Sequence, residues 1–131
     1  MKVKDFKNLV DKLEKNTLAI DFDGVIHNHH LGFHDGTVYG DPIPGALNAI
    51  KELSKKYSII ITTCKANPKR PLIEGKTGCD LIWEWLDKYG NKNNITDVTY
   101  DKVNALCYID DKAVSFSNWD NTLNVLHKNG L

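Results

Sequence analysis

Thr17-Leu18-Ala19-Ile20-Asp21-Phe22-Asp23-Gly24 is the stretch whose reading decides the fold. A brief, mostly apolar run of this kind suits a strand buried on both faces, as in a parallel sheet. It stops abruptly at two aspartates and a glycine, so the strand leads into a tight loop. Ser58-Ile59-Ile60-Ile61 repeats the pattern and ends in Thr62-Thr63-Cys64-Lys65. Ala105 to Ile109 repeats it again and ends in Asp110-Asp111. A short strand near Val98 to Tyr100 is expected between the last two.

Helical periodicity fills the intervals. Pro44 stands where a first-turn proline belongs, and Leu47, Ile50 and Leu53 make one apolar face. Thr77 with Asp80 three positions on resembles a capping box, opening a helix that carries Leu81, Ile82, Trp85, Leu86 and Tyr89, with Gly90 to end it. Ser117 and Asp120 are candidate caps for a last helix bearing Trp119, Leu123 and Leu126; Trp85 and Trp119 read as core. At the start, Val3, Phe6, Val10 and Leu13 are spaced for a short amphipathic helix. Residues 27–41 are polar, with several Gly and His, and read as a flap or hairpin.

Strands alternating with helices predict an α/β sandwich around a mostly parallel sheet, folded as one domain over residues 1–131. Hydrophobic residues make up 41% of the chain, enough for a single compact core. Seventeen basic and seventeen acidic residues cancel, so no global field favours nucleic acid or an anionic membrane, and any anion handling must be local. The opening residues are charged and lack the apolar region of a signal peptide, no apolar run approaches a membrane span, and Cys64, Cys79 and Cys107 are an odd, widely spaced set. The expectation is a reduced, cytoplasmic protein.

Ligands of such sheets bind outside the carboxyl ends of the strands, where the polar triplets fall. Asp21 and Asp23, two apart, lean the same way in an extended segment, and Asp110 arrives from another strand. Converging carboxylates repel unless a cation neutralises them, and an all-oxygen site suits Mg²⁺. A carboxylate so neutralised can attack phosphorus, a second can serve as acid and base, and Thr63 with a lysine can hold the phosphoryl oxygens. An acidic pair after a strand is more often a turn or a helix cap; three polar strand ends on one rim shift that balance.

The residues also carry a family resemblance. Asp21-Phe22-Asp23-Gly24-Val25-Ile26 after an apolar strand resembles the first motif of the haloacid dehalogenase (HAD) superfamily of phosphohydrolases, and Ile59 to Lys65 resembles the second. Lys102, then Leu106 to Ile109 and Asp110-Asp111, resembles the third and fourth, so the likeness runs from about Thr17 to Ala113. It implies a three-layer, Rossmann-like core and a Mg²⁺-dependent phosphatase acting through an aspartyl-phosphate. Asp21 would be nucleophile and metal ligand; Asp23 would be general acid/base and lend its backbone carbonyl to the metal. Asp110 would be a metal ligand assisted by Asp111. Thr63 is preferred to Thr62 as the phosphate-binding hydroxyl. Lys102 fits the order for the lysine, with Lys65 and Lys112 as rivals. Lys65 stands where capless relatives often carry arginine. The short stretch between Val25 and the Leu47 helix leaves no room for a large cap domain.

A capless rim is open, and suits an extended phosphorylated substrate such as a nucleic-acid end, a nucleotide or a phosphoprotein. A small sugar phosphate covered by a partner subunit in an oligomer satisfies the same physics. Phosphotransfer to a sugar or nucleoside acceptor would use the same rim, and a non-catalytic metal- and phosphate-binding module would keep the fold without turnover. A two-component receiver domain combines similar residues but lacks the Asp-x-Asp-Gly form. His27, His29, His30 and His34 crowd the flap; with no cysteine and no zinc spacing they read as solvated, although His27 lies close enough to Asp23 to suggest contact with substrate. Lys65, Lys69, Arg70 and Lys76 would attract phosphate or simply face solvent.

Overall fold

The computed structural model describes residues 3–6 and 16–131. Four strands, β1 (Thr17–Ile20), β2 (Ser58–Thr62), β3 (Asp97–Thr99) and β4 (Cys107–Ile109), form one sheet in the order β3-β2-β1-β4. Every pairing is parallel, with Leu18 opposite Ile59 on one side and Cys107 on the other, and Ile60 opposite Asp97. The chain is therefore an α/β protein with a wholly parallel sheet. Parallel neighbours need crossovers, which α1 (Ala46–Ser54) and α2 (Gly78–Lys88) supply; α3 (Trp119–Lys128) follows β4.

The central strands carry the core. Leu18, Ile20, Ile59 and Ile61 are buried and meet Ile50 from α1 and Ile82, Trp85 and Leu86 from α2. β1 is buried throughout, whereas in β2 Ile59 and Ile61 are buried and Ile60 between them is half-buried; β-branched isoleucine suits such a pleated surface. Thr77 caps α2 through the expected box, its hydroxyl accepting from the Asp80 N–H at 3.1 Å and the Asp80 carboxylate accepting from the Thr77 N–H at 2.9 Å. Among the described residues no helix is long and apolar enough to cross a membrane.

Several expectations need correcting. Pro44 is not a first-turn residue: α1 begins at Ala46, with Gly45 at its N-cap in the left-handed region (φ 85°). The cap of α3 is neither Ser117 nor Asp120 but Asn118, whose side-chain oxygen accepts from Asn121 N–H at 2.9 Å. Trp119 is not core; it is 67% exposed and lies edge-on to Phe116. Residues 27–41 form successive turns joined to the body by isolated bridges at His27 and Pro42 rather than a hairpin ladder. Residues 3–6 are helical, while Val10 and Leu13 of the expected opening helix lie outside the described residues.

This packing sets an asymmetric expectation for stability. Ile59→Ala should cost about 3 kcal/mol because the cavity opens in the packed core between the central strands and the helices. Trp119→Ala should stay within about 0.5 kcal/mol. Urea unfolding of the two variants checks the contrast.

Candidate active site

The loop after β1 is wound around one carbonyl. Phe22 O accepts the N–H groups of Val25, Ile26 and His27 at 2.9–3.2 Å, and Gly24 N–H donates to His27 O at 2.9 Å. The Phe22 ring is fully buried beneath, stacked on His27 and edge-on to Trp85. Its neighbours Asp21 and Asp23 point the other way, into the open groove. Gly24, at φ 86°, closes the turn in a conformation that disfavours other residues, and a Cβ there would collide with the Asp111 carboxylate.

Asp110 and Asp111 follow β4, which is seated against β1 so that Asp21 N–H donates to Ile109 O at 2.9 Å. Asp21, Asp110 and Asp111 each offer a carboxylate oxygen, and the three oxygens lie within 4.8 Å of one another. Burial and these neighbours raise Asp21: desolvation leads, the Phe22 N–H bond to its Oδ1 (2.8 Å) opposes, and the charges of Asp110, Asp111 and Asp23 add, leaving its pKa at about 6. Oxygen-only ligands of high charge density could hold a hard divalent cation such as Mg²⁺.

Asp23 stands apart from that trio. Its Oδ1 faces His27 Nδ1 at 2.8 Å, while its Oδ2 lies 3.6 Å from Lys65 Nζ and 4.0 Å from His29 Nε2. Desolvation pushes its pKa up, but the His27 hydrogen bond, Lys65 and His29 outweigh it and hold the carboxyl below its usual range. Lys65 comes from the 3₁₀ turn Cys64–Ala66 that follows β2, and its side chain is only 2% exposed. Thr63 is buried at the head of that turn, its hydroxyl accepting from Lys65 N–H at 3.2 Å; Thr62 is half-buried beside it.

A groove of about 1430 Å³ joins these groups to Arg70, Lys102 and Lys112. Lys102 lies on its wall, exposed, with Nζ 5.3 Å from the centre of the Tyr108 ring. Lys112 is exposed, its N–H donating to Asp110 Oδ1 at 2.7 Å. Lys65 thus lies beside the Asp23 carboxylate. His27 does not reach the groove as its closeness to Asp23 had suggested: it is fully buried behind that residue. Of the other flap histidines, His29 and His30 line the groove, while His34 packs edge-on to Tyr39. Comparisons with protein-family models, with curated proteins and with solved structures return no match for this chain.

The raised Asp21 carboxyl has a defined thermodynamic sign. Between its unfolded pKa of 3.8 and its folded value of about 6, the native state binds more protons than the unfolded chain. Stability that is full below the lower value is therefore lost as pH rises through the upper one. In chelator, Asp21→Asn should gain melting temperature relative to wild type as pH climbs from about 4 to about 7, then level off. A difference independent of pH would show that Asp21 is not held at a cost by its neighbours.

Proposed function

We propose that this chain is a Mg²⁺-dependent phosphoester hydrolase in which Asp21 is the nucleophile, a capless member of the haloacid dehalogenase type with a Rossmann-like three-layer core. The observation that carries the reading is the convergence of Asp21, Asp110 and Asp111 at the carboxyl ends of adjacent parallel strands, with a buried lysine against neighbouring Asp23. Asp21, Asp110 and Asp111 would hold the metal, joined by the Asp23 backbone carbonyl. Bound there, Mg²⁺ supplies the positive charge that lets a phosphate dianion approach the carboxylates.

The chain's own residues account for the remainder. Asp21 Oδ1 is engaged by Phe22 N–H, so the other oxygen is free to attack phosphorus. The new Asp21 O–P bond forms as the bond to the leaving oxygen breaks, and Asp23 gives that oxygen a proton. Asp23 then takes a proton from water, which attacks phosphorus, frees Asp21 and releases inorganic phosphate. The Lys65 ammonium and the Thr63 hydroxyl stabilise the charge on the phosphoryl oxygens. Asp23 begins ionised because Lys65 and His27 favour its charged form. An incoming dianion draws on Lys65 and places negative charge beside Asp23; both effects raise the carboxyl, which takes from solvent the proton it then gives to the leaving oxygen.

Hydrolysis of p-nitrophenyl phosphate should need Mg²⁺, vanish in excess chelator and fall by about 1000-fold or more in Asp21→Asn. Full turnover in chelator would overturn the proposal. Lys65→Met should lower kcat/KM by about 100-fold, a loss of transition-state charge stabilisation. Lys102→Met should cost under about tenfold by the same measure, because Lys102 keeps its ammonium on a solvated wall. The reverse order would give the phosphate to Lys102.

A further inference from the structure

His27 is a polar ring enclosed by aromatic ones. It is fully buried, stacked on Phe22 with centroids 5.3 Å apart, and edge-on to Tyr39 and Trp85. Burial of an imidazole in such a cage is costly unless both nitrogens are engaged, and both are. Nε2 is the acceptor for Gly40 N–H at 2.8 Å. A backbone N–H can only donate, so Nε2 presents its lone pair and the ring proton resides on Nδ1. From there it is donated to Asp23 Oδ1 at 2.8 Å.

Gly40 is itself clamped. Its carbonyl accepts from Trp85 Nε1 at 2.9 Å, and a Cβ at this position would run into the Asn28 carbonyl oxygen. Trp85 is rooted in α2, and Asn28 N–H is tied to Asp41 O at 2.8 Å. The tautomer of His27 is thus dictated from the core of the protein, through a tryptophan and a glycine, at the edge of the groove. Phe22 lies between the two carboxylates in sequence and under the ring in space, so the same packing that shapes the turn holds the imidazole.

We propose that His27 is the positioning residue for Asp23: its Nδ1–H, set by Gly40 at the opposite nitrogen, holds Oδ1 and leaves Oδ2 as the oxygen that faces Lys65 and the groove. This rests on the hydrolase reading in assigning Asp23 the proton transfer. A carboxylate free to rotate would offer either oxygen at random distances from the leaving group; one fixed at Oδ1 offers Oδ2 alone. His27 touches no substrate atom and acts only through Asp23.

The two ring nitrogens can be mimicked separately, which gives the test. Asparagine carries an amide nitrogen two bonds from Cβ, as Nδ1 does; glutamine carries an amide oxygen three bonds away, as Nε2 does. His27→Asn keeps a donor for Asp23, whereas His27→Gln keeps an acceptor for Gly40 and loses the donor. Each variant is assayed, with its melting temperature, on an aryl phosphate with a good leaving group and on an alkyl phosphate with a poor one. The expected result is that His27→Gln loses about 100-fold on the alkyl ester and under tenfold on the aryl ester, with His27→Asn restoring most of the difference. Equal losses on both esters, or better rescue by glutamine, would mean that His27 only fills space and holds Gly40, and would overturn the inference. Long-range ¹H–¹⁵N correlation of the wild-type imidazole supplies an arm independent of activity. A ring protonated at Nδ1 supports the assignment, and one protonated at Nε2 overturns it even if the hydrolase reading stands. Wild-type protein inert on both esters, with Mg²⁺ present, would defeat the hydrolase reading and with it the role in proton transfer, while the NMR result would still decide the tautomer.

Discussion

One carbonyl oxygen, that of Phe22, takes three backbone N–H groups from the residues that follow it. The donors come from Val25, Ile26 and His27, so the chain must curl back immediately after β1. This curl needs an anchor below and clearance above. The buried Phe22 ring gives the first and Gly24 gives the second, where any larger residue would strike Asp111. The result is that Asp21 and Asp23 emerge on one side, close but with different partners. Everything at the rim is referenced to this turn: Ile109 is bonded to Asp21 N–H, and His27 reaches Asp23 from within it.

The two aspartates are neighbours by sequence and opposites in electrostatics. Asp21 is desolvated by burial among like charges and is raised; Asp23 sits among an imidazole donor and an ammonium and is lowered. Two carboxyls separated by a single residue are thereby driven apart in acidity. Lys65 accomplishes its part because its aliphatic stem is enclosed while its tip remains near the groove.

How far the sequence disclosed this depends on how local each cause is. The β1 and β2 strands and the Thr77–Asp80 box were legible because their signals, unbroken apolar runs and a fixed three-residue spacing, are contained in the segments themselves. The cap of α3 was not, since Ser117, Asn118 and Asp120 are all competent and only the helix's actual register selects Asn118. Trp119 has helical periodicity but meets Phe116 instead of a core, and periodicity alone does not name a partner. The convergence of Asp21 with Asp110 and Asp111 was readable from strand order, because parallel strands deliver their ends to one edge. The burial of Lys65 against Asp23 was not readable, since it arises from the turn that Lys65 occupies. The burial of His27 was not readable for a related reason: Gly40 and Trp85, distant in sequence, decide its surroundings.

The strand that delivers Asp110 and Asp111 differs from the one that delivers Asp21. All three residues of β4 are exposed and it is the outermost strand on its side, whereas β1 is buried throughout. Segments with little buried apolar surface open with less free energy than the global unfolding event. Amide hydrogens that β4 shares with β1 should therefore exchange with solvent sooner than those between β1 and β2. The acidic trio is then a composite of a permanent half and a transient half, complete only while the outer strand is docked. Any ion that bridges the two halves acts as a clasp, drawing its affinity partly from holding that strand in place.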